Sequence, residues 1–215
     1  MHLEKNIGYG AAHNISIKES INKNVKYHLV INPDVYFHFD VLSVLLKFMD
    51  KNSDIGLVMP KILYPDGTLQ YTCKLLPTPT DLFFRRFFPR FWLIKKKNDQ
   101  FEMRHSGYKK QMNVPYLSGC FMFLRVSTLA EVGIFDERFF MYPEDIDLSR
   151  RIHSKYKTIF YPKTFVFHEH GKASYRNTKM LMIHIVNIIK YFNKWGWFHD
   201  KERTSINLKT LAKIK

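Results

Sequence analysis

Three places in the chain carry side chains that could do chemistry. The first is Met141-Tyr142-Pro143-Glu144-Asp145-Ile146-Asp147-Leu148-Ser149-Arg150-Arg151, where three carboxylates crowd the start of a helical segment. It lies directly behind an aromatic loop, Phe135-Asp136-Glu137-Arg138-Phe139-Phe140. Pro143 suits a first helical position, and acidic groups in a first turn complement the helix dipole, so alone this trio reads as ordinary capping. The second is Asp34, which follows the apolar run Tyr27-His28-Leu29-Val30-Ile31 and then Asn32-Pro33. That run reads as a buried strand stopped by Pro33, leaving Asp34 at the carboxyl end, the edge where open α/β sheets bind ligands. A carboxylate there can hold a hard divalent cation, which neutralises a substrate diphosphate. The plainer reading is an Asn-Pro-Asp turn. The third is His168-Glu169-His170, which ends the run Phe165-Val166-Phe167. His168 and His170 alternate and share one face of an extended chain, where they could ligate a metal or bind phosphate oxygens. As a polar surface loop they would do neither.

To bring these groups together the chain needs strands and helices in alternation. After the Gly8-Gly10 turn, Ala11 to Ile21 can form a helix, and the strand ending at Asn32 follows. Val41 to Met49 has the spacing of an amphipathic helix that Asp40 can cap. Ile55 to Met59 reads as a short buried strand, and Tyr64-Pro65-Asp66-Gly67 as a turn folding back on Leu69-Gln70-Tyr71 in a hairpin. The alternation predicts an α/β domain. Residues 74–110 break it. Pro77-Thr78-Pro79 leads to Phe83-Phe84-Arg85-Arg86-Phe87-Phe88-Pro89-Arg90-Phe91-Trp92 and then Lys95-Lys96-Lys97. Rings interleaved with cations suit a membrane interface; a core-packed loop with solvated charges has the same composition. Arg176 to Phe198 reads as a long helix with a broad apolar surface, with Lys179, Lys190 and Lys194 supplying charge and Gly196 the stop. The apolar arc is too wide for one contact, so one side suits the core and another a membrane interface.

At 215 residues and 46% hydrophobic, the chain can bury the core of one domain and is not disordered. A net charge of +15 points to an anionic partner: nucleic acid, a phosphorylated substrate or an anionic membrane. No helix-turn-helix, zinc-finger or RNA-binding aromatic signature is present, so no nucleic acid is expected. Cys73 and Cys120 are too few for a disulfide framework or a zinc site and fit reduced thiols in a cytoplasmic protein. No run reaches the roughly 18 uninterrupted apolar residues of a membrane span, and Met1 opens no visible signal peptide.

Taken in order, the motifs resemble those of the inverting glycosyltransferases of family 2, of the GT-A fold, and especially bacterial rhamnosyltransferases that build surface polysaccharides. Asn6-Ile7-Gly8-Tyr9-Gly10-Ala11-Ala12-His13-Asn14 resembles the segment before the second donor-side helix, which implies Asn6, Gly8 and Asn14 as donor contacts. Asn32-Pro33-Asp34 stands in place of an Asp-x-Asp motif, so the resemblance implies Asp34 as ligand to Mg²⁺ or Mn²⁺, helped by His168. Many relatives carry an acidic residue where this chain has Asn32. Leu117-Ser118-Gly119-Cys120-Phe121-Met122 resembles the strand that sets Gly119 beside the donor sugar. Glu144-Asp145 matches the pair whose Asp is the catalytic base, which implies Asp145 as base, with Glu144 and Asp147 positioning the acceptor or the helix. His168-Glu169-His170-Gly171-Lys172-Ala173-Ser174 resembles the closing motif, with His168 or His170 as metal ligand or phosphate contact. Asp81-Leu82 also lies in a segment similar to these relatives.

The resemblance implies an α/β, GT-A-like (Rossmann-like) mixed sheet flanked by helices and truncated at its N-terminus. The strand-helix-strand unit that holds nucleobase and ribose in the family has no counterpart before Asn6. Residues 1–175 would form a partial glycosyltransferase domain with an acceptor- or membrane-facing insertion at 74–110, and 176–215 a C-terminal amphipathic helix and basic tail. The implied activity is inverting transfer of a sugar, rhamnose first among candidates, from dTDP-rhamnose or a UDP-sugar to a lipid-linked glycan. The protein would be cytoplasmic and peripheral on the inner face of the plasma membrane. The alternative is a catalytically inactive remnant that binds a membrane or a partner.

Overall fold

The computed structural model describes residues 3–82, 92–169 and 178–214. In chain order the elements are α1 (Tyr9–Asn22), β1 (Tyr27–Ile31), β2 (Val35–Tyr36), α2 (Asp40–Asp50), β3 (Ile55–Leu63), β4 (Cys73–Lys74) and α3 (Trp92–Phe101), then β5 (Met112–Asn113), β6 (Tyr116–Leu117), β7 (Phe121–Arg125), α4 (Val126–Val132), α5 (Glu144–His153), β8 (Lys157–His168), α6 (Thr178–Trp195) and α7 (Lys201–Lys213).

The axis of the main sheet is the parallel pair β3 and β8, which runs from Ile55↔Lys157 to Leu63↔Phe167 with two register shifts. β3 is buried along almost its whole length, as an apolar strand covered on two faces must be. The strand order is β1-β7-β3-β8-β2, with β5 also paired to β8, and every pairing except β3–β8 is antiparallel. This is the expected mixed sheet flanked by helices. α2 packs on β3 and β8, α5 on β3, β6 and β8, and α1 on β1 and α4. β1, β3 and β8 all point the same way, so their carboxyl ends open at one edge.

Three local expectations change in detail. β3 does not stop at Met59: it passes through Pro60, whose missing donor is absorbed by a register shift between Pro60 and Lys61. Asp40 does not cap α2, whose N-cap is Phe39; it sits in the first turn and pairs with His38 at 3.0 Å. Pro143 is the N-cap of α5 rather than its first helical residue. The hairpin after Tyr64 is a single bridge, Leu63↔Leu69, closed by the Gly67 N–H on the Tyr64 carbonyl at 2.9 Å. The helix stop at Gly196 is as expected, with φ 97 and its N–H on the Phe192 carbonyl at 2.8 Å.

α5 ties the C-terminal helices to the domain. Arg150, 1% exposed, meets Asp200 at 2.7 and 2.9 Å and Glu202 at 2.6 Å, and lies 4.0 Å over the Trp195 ring. Asp147, fully buried, accepts the Trp195 indole N–H at 2.8 Å and pairs with Lys194 and Arg151. Asp147 therefore positions helices, one of the two roles expected of it. α6 adds Tyr191 and Phe192 to an apolar cluster with Leu76, Tyr116, Phe139 and Ile146. Among the described residues no helix is long and apolar enough to cross a membrane. Phe83 to Phe91, the centre of the ring-and-cation segment, lies outside the described residues.

Candidate active site

A cleft of about 390 Å³ opens between the N-terminus of α5, the turn from β6 to β7, the carboxyl ends of β1 and β8, and α6. Tyr142 enters α5 at φ 95, a conformation that side-chain-bearing residues rarely adopt, and stacks on His184 with ring centroids 4.7 Å apart. Backbone strain of this kind persists where surrounding contacts hold it, and functional sites collect it.

Asp145 faces the cleft from the first turn of α5. Its Oδ2 accepts the Gly119 N–H at 2.8 Å and the Tyr116 hydroxyl at 3.3 Å, and its Oδ1 accepts the Ile146 N–H at 2.8 Å. Burial raises its pKa; these hydrogen bonds and the Lys74 ammonium pull the other way, and burial wins. A carboxylate made more basic and held at a cleft wall is suited to take a proton from a hydroxyl. Glu144 lies behind it, 4% exposed, with Oε2 lacking a hydrogen-bond partner among the described residues. Burial, then the Asp145 charge, pushes Glu144 up to about 8. Burial pushes both carboxyls upward, so the two titrate as a pair that binds protons above the ordinary carboxylate range.

Gly119 leaves room for this packing. A Cβ there would stand 3.1 Å from the Asp145 Cβ and 3.4 Å from its Oδ2, while the Gly119 carbonyl accepts the Tyr9 hydroxyl at 2.8 Å. Gly119→Ala is expected to displace the carboxylate and lower turnover by roughly 10²-fold, with folding preserved. Steady-state rates beside thermal melting check this; unchanged turnover would show that Asp145 need not sit where it does.

The short pairing of β2 with β8 sets Val35 beside His168 and so brings Asp34 to the imidazole. Asp34 Oδ1 lies 3.3 Å from His168 Nε2, and Asn32 Nδ2 lies 3.5 Å from the same nitrogen. Gln70 orients the ring. Its Nε2 donates to the His168 carbonyl at 2.5 Å, so its Oε1 faces His168 Nδ1 at 3.0 Å and accepts the proton there. Nε2 is thereby turned toward Asp34 as a lone pair. Burial lowers the His168 pKa despite the Asp34 charge, which keeps the imidazole neutral. A neutral imidazole nitrogen and a carboxylate side by side fit Mn²⁺ or Mg²⁺, with an amide behind the imidazole as ligating histidines require. Among the described residues no three His, Cys, Asp or Glu side chains gather to hold a metal alone. Two protein donors plus substrate phosphate oxygens are the usual arrangement for such ions.

The structure thus brings Gly119, Glu144, Asp145 and His168 to one cleft, with Asp34 against His168. Asn6, Gly8 and Asn14, expected as donor contacts, do not line this cleft. Asn14 is fully buried and spends its amide on the aromatic loop, donating to the Phe135 carbonyl and Glu137 at 2.9 Å each and accepting the Phe135 N–H at 3.0 Å. Asn6 accepts the Gly8 N–H at 3.0 Å, and Gly8, at φ 96, fits beneath the Phe140 carbonyl, 2.5 Å from where a Cβ would be. Tyr9 is the residue of that segment that lines the cleft. His170 lies outside the described residues. Sequence reasoning missed Lys74, 5.1 Å over the Tyr116 ring, together with Tyr9, Tyr116, Tyr142 and His184. Lys74 and Tyr116 meet through the two-residue strands β4 and β6, too short to leave a periodic signal.

The fold is that of a GT-A glycosyltransferase. It matches the crystal structure of GalNAc-T7 with UDP, GalNAc and Mn²⁺ at a TM-score of 0.53, over 78% of this chain and 31% of that one, at 14% identity. In sequence the chain is similar to rhamnosyltransferases. It is 27% identical over 186 residues to the N-acetylglucosaminyl-diphospho-decaprenol L-rhamnosyltransferase of Mycobacterium tuberculosis, covering 80% of this chain and 59% of that protein. It is 27% identical over 153 residues to the rhamnosyltransferase WbbL of Escherichia coli, covering 67% of this chain and 54% of that protein. The chain therefore spans little more than half the length of these relatives. No family model matches it.

Proposed function

We propose that the cleft transfers a sugar, with inversion, from a nucleotide-sugar to a hydroxyl of a lipid-linked glycan. The observation that carries this is Asp145, fixed by the Gly119 N–H in a cleft that His168 also lines, with Asp34 against the imidazole. Asp145 takes the proton of the acceptor hydroxyl as its oxygen bonds to the anomeric carbon. The bond from that carbon to the diphosphate breaks, and the nucleoside diphosphate leaves with the electron pair. A divalent cation held by Asp34 and His168 would supply positive charge against that leaving group. A single displacement with one base gives inversion. The rhamnosyltransferase relatives make dTDP-rhamnose the first donor to test, with UDP-sugars beside it, and the mycobacterial one makes a polyprenyl-diphosphate-linked N-acetylglucosamine the first acceptor. On this reading the protein works beside its lipid acceptor, as a peripheral enzyme on the inner face of the plasma membrane. Labelled-sugar transfer to that acceptor tests the reading. Absence of transfer with every donor, in a chain that still binds membranes, would favour a catalytically inactive remnant.

The metal assignment has its own test. Mn²⁺ affinity, measured by calorimetry with a nucleoside diphosphate present, is expected to fall by about 10–100-fold in Gln70→Ala, which frees the imidazole to rotate. Asp34→Asn should lose the site. Unchanged affinity in Gln70→Ala would contradict the orientation of His168; unchanged affinity in Asp34→Asn would contradict the ligand itself.

A further inference from the structure

We propose that the outer face of α6 is a docking surface for an anionic lipid bilayer. The helix carries two apolar stripes. His184, Asn187, Ile188, Tyr191, Phe192 and Trp195 turn inward, burying Asn187, Tyr191 and Phe192 and lining the cleft with His184 and Ile188. Met182, Ile185, Val186 and Ile189 recur at the spacing of a second face and are 59%, 39%, 46% and 42% exposed. Just past the helix end, Trp197 and Phe198 are 38% and 72% exposed, residue types that suit a headgroup layer.

Charge decides the partner. From residue 171 to 199 the sequence contains no Asp or Glu, while α6 itself bears Lys179, Lys190 and Lys194. The acidic groups nearest this side are already compensated: Asp136 by Arg138 and Lys194, Asp147 by Arg151 and Lys194. Lys194 is spent inward on those two carboxylates, whereas exposed Lys179 and Lys190, the latter reaching the Arg138 carbonyl at 2.9 Å, edge the aliphatic stripe along one side with no acidic neighbour on the helix. Four aliphatics edged by cations match a negatively charged headgroup surface. The geometry deepens the lipid-linked acceptor reading without depending on turnover. With the outer stripe in the headgroups, the cleft lies one helix diameter away, about 10 Å. A lipid-anchored acceptor can then present its sugar to Asp145 while its chains stay in the bilayer.

The test uses the full chain. Cys73 and Cys120 are buried, so a thiol-reactive, environment-sensitive dye is directed to an introduced Val186→Cys. A second labelled variant, Lys51→Cys, places the dye before β3, at the sheet end away from the cleft. With phosphatidylcholine–phosphatidylglycerol vesicles, dye at 186 should shift to the blue, dye at 51 should not, and salt should reverse the shift. Ile185→Glu/Ile189→Glu should weaken vesicle binding at least about tenfold while transfer to a short, soluble acceptor persists. Asp145→Asn should bind vesicles as wild type does, which separates this surface from the chemistry. Failure of the wild type to sediment with these vesicles at low salt would overturn the proposal. So would a shift at 51 instead of 186, equal binding to pure phosphatidylcholine, or a shift at 186 that needs only higher protein concentration and so reports a second copy.

Discussion

Asp145→Asn is expected to lose sugar transfer by about 10²–10⁴-fold, the usual cost of removing a general base. The amide keeps the size of the carboxylate and can still accept the Gly119 or Ile146 N–H, so circular dichroism and melting should stay close to wild type. Glu144→Gln is the informative contrast. Glu144 is pushed up to about 8 by burial and the adjacent charge, so a neutral amide copies its state at neutral pH. Its transfer rate should remain far above that of Asp145→Asn. The same shift has a sign in stability. A carboxyl whose folded pKa is raised keeps its proton where the unfolded chain has released it, so stability falls as pH rises from the ordinary carboxylate range to about 8. Glu144→Gln should flatten that decline in denaturant titrations taken across pH. A reversed order of activities, with Glu144→Gln the dead variant, would move the base to Glu144.

Arg150→Ala is expected to cost about 3 kcal/mol of stability, because it removes the two close hydrogen bonds to buried Asp200 and leaves that carboxylate only the Arg203 guanidinium, 3.9 Å away. Asp200 is 6% exposed and caps α7 by accepting the Arg203 N–H at 2.9 Å, so α7 should loosen first. α6 loses the Arg150 contact with the Trp195 ring but keeps Asp147 on Trp195 and Lys194, which directs most of the loss to the C-terminal helix. Urea unfolding gives the magnitude, and hydrogen exchange gives its location. A loss under about 1 kcal/mol would place Arg150 with weakly coupled surface pairs instead.

What the sequence made legible was whatever is local. The apolar run before Asn32-Pro33-Asp34, the acidic first turn at Glu144-Asp145, and Gly119 after Leu117-Ser118 each show in a few consecutive residues, and the cleft unites them. The helix of residues 178–195 and its stop at Gly196 were legible through periodicity and one glycine. The rest depends on distant partners. Gln70 orients His168 from 98 residues away, and no pattern in the sequence joins them. Asn14 reads as a donor contact by its motif, yet its amide closes on Phe135, 121 residues away. Arg150 looks like a surface charge after Ser149 until α7 returns to cover it. Lys74 enters through a ribbon of two-residue strands, which carries too little periodicity to be seen.

The most direct measurement is the anomeric configuration of the transferred sugar, read by NMR on product made from dTDP-rhamnose and a polyprenyl-diphosphate-linked N-acetylglucosamine. One base at Asp145 and one displacement require the new glycosidic bond to have the configuration opposite to that of the donor. Retention of the donor configuration would contradict the single-base cleft built around Asp145.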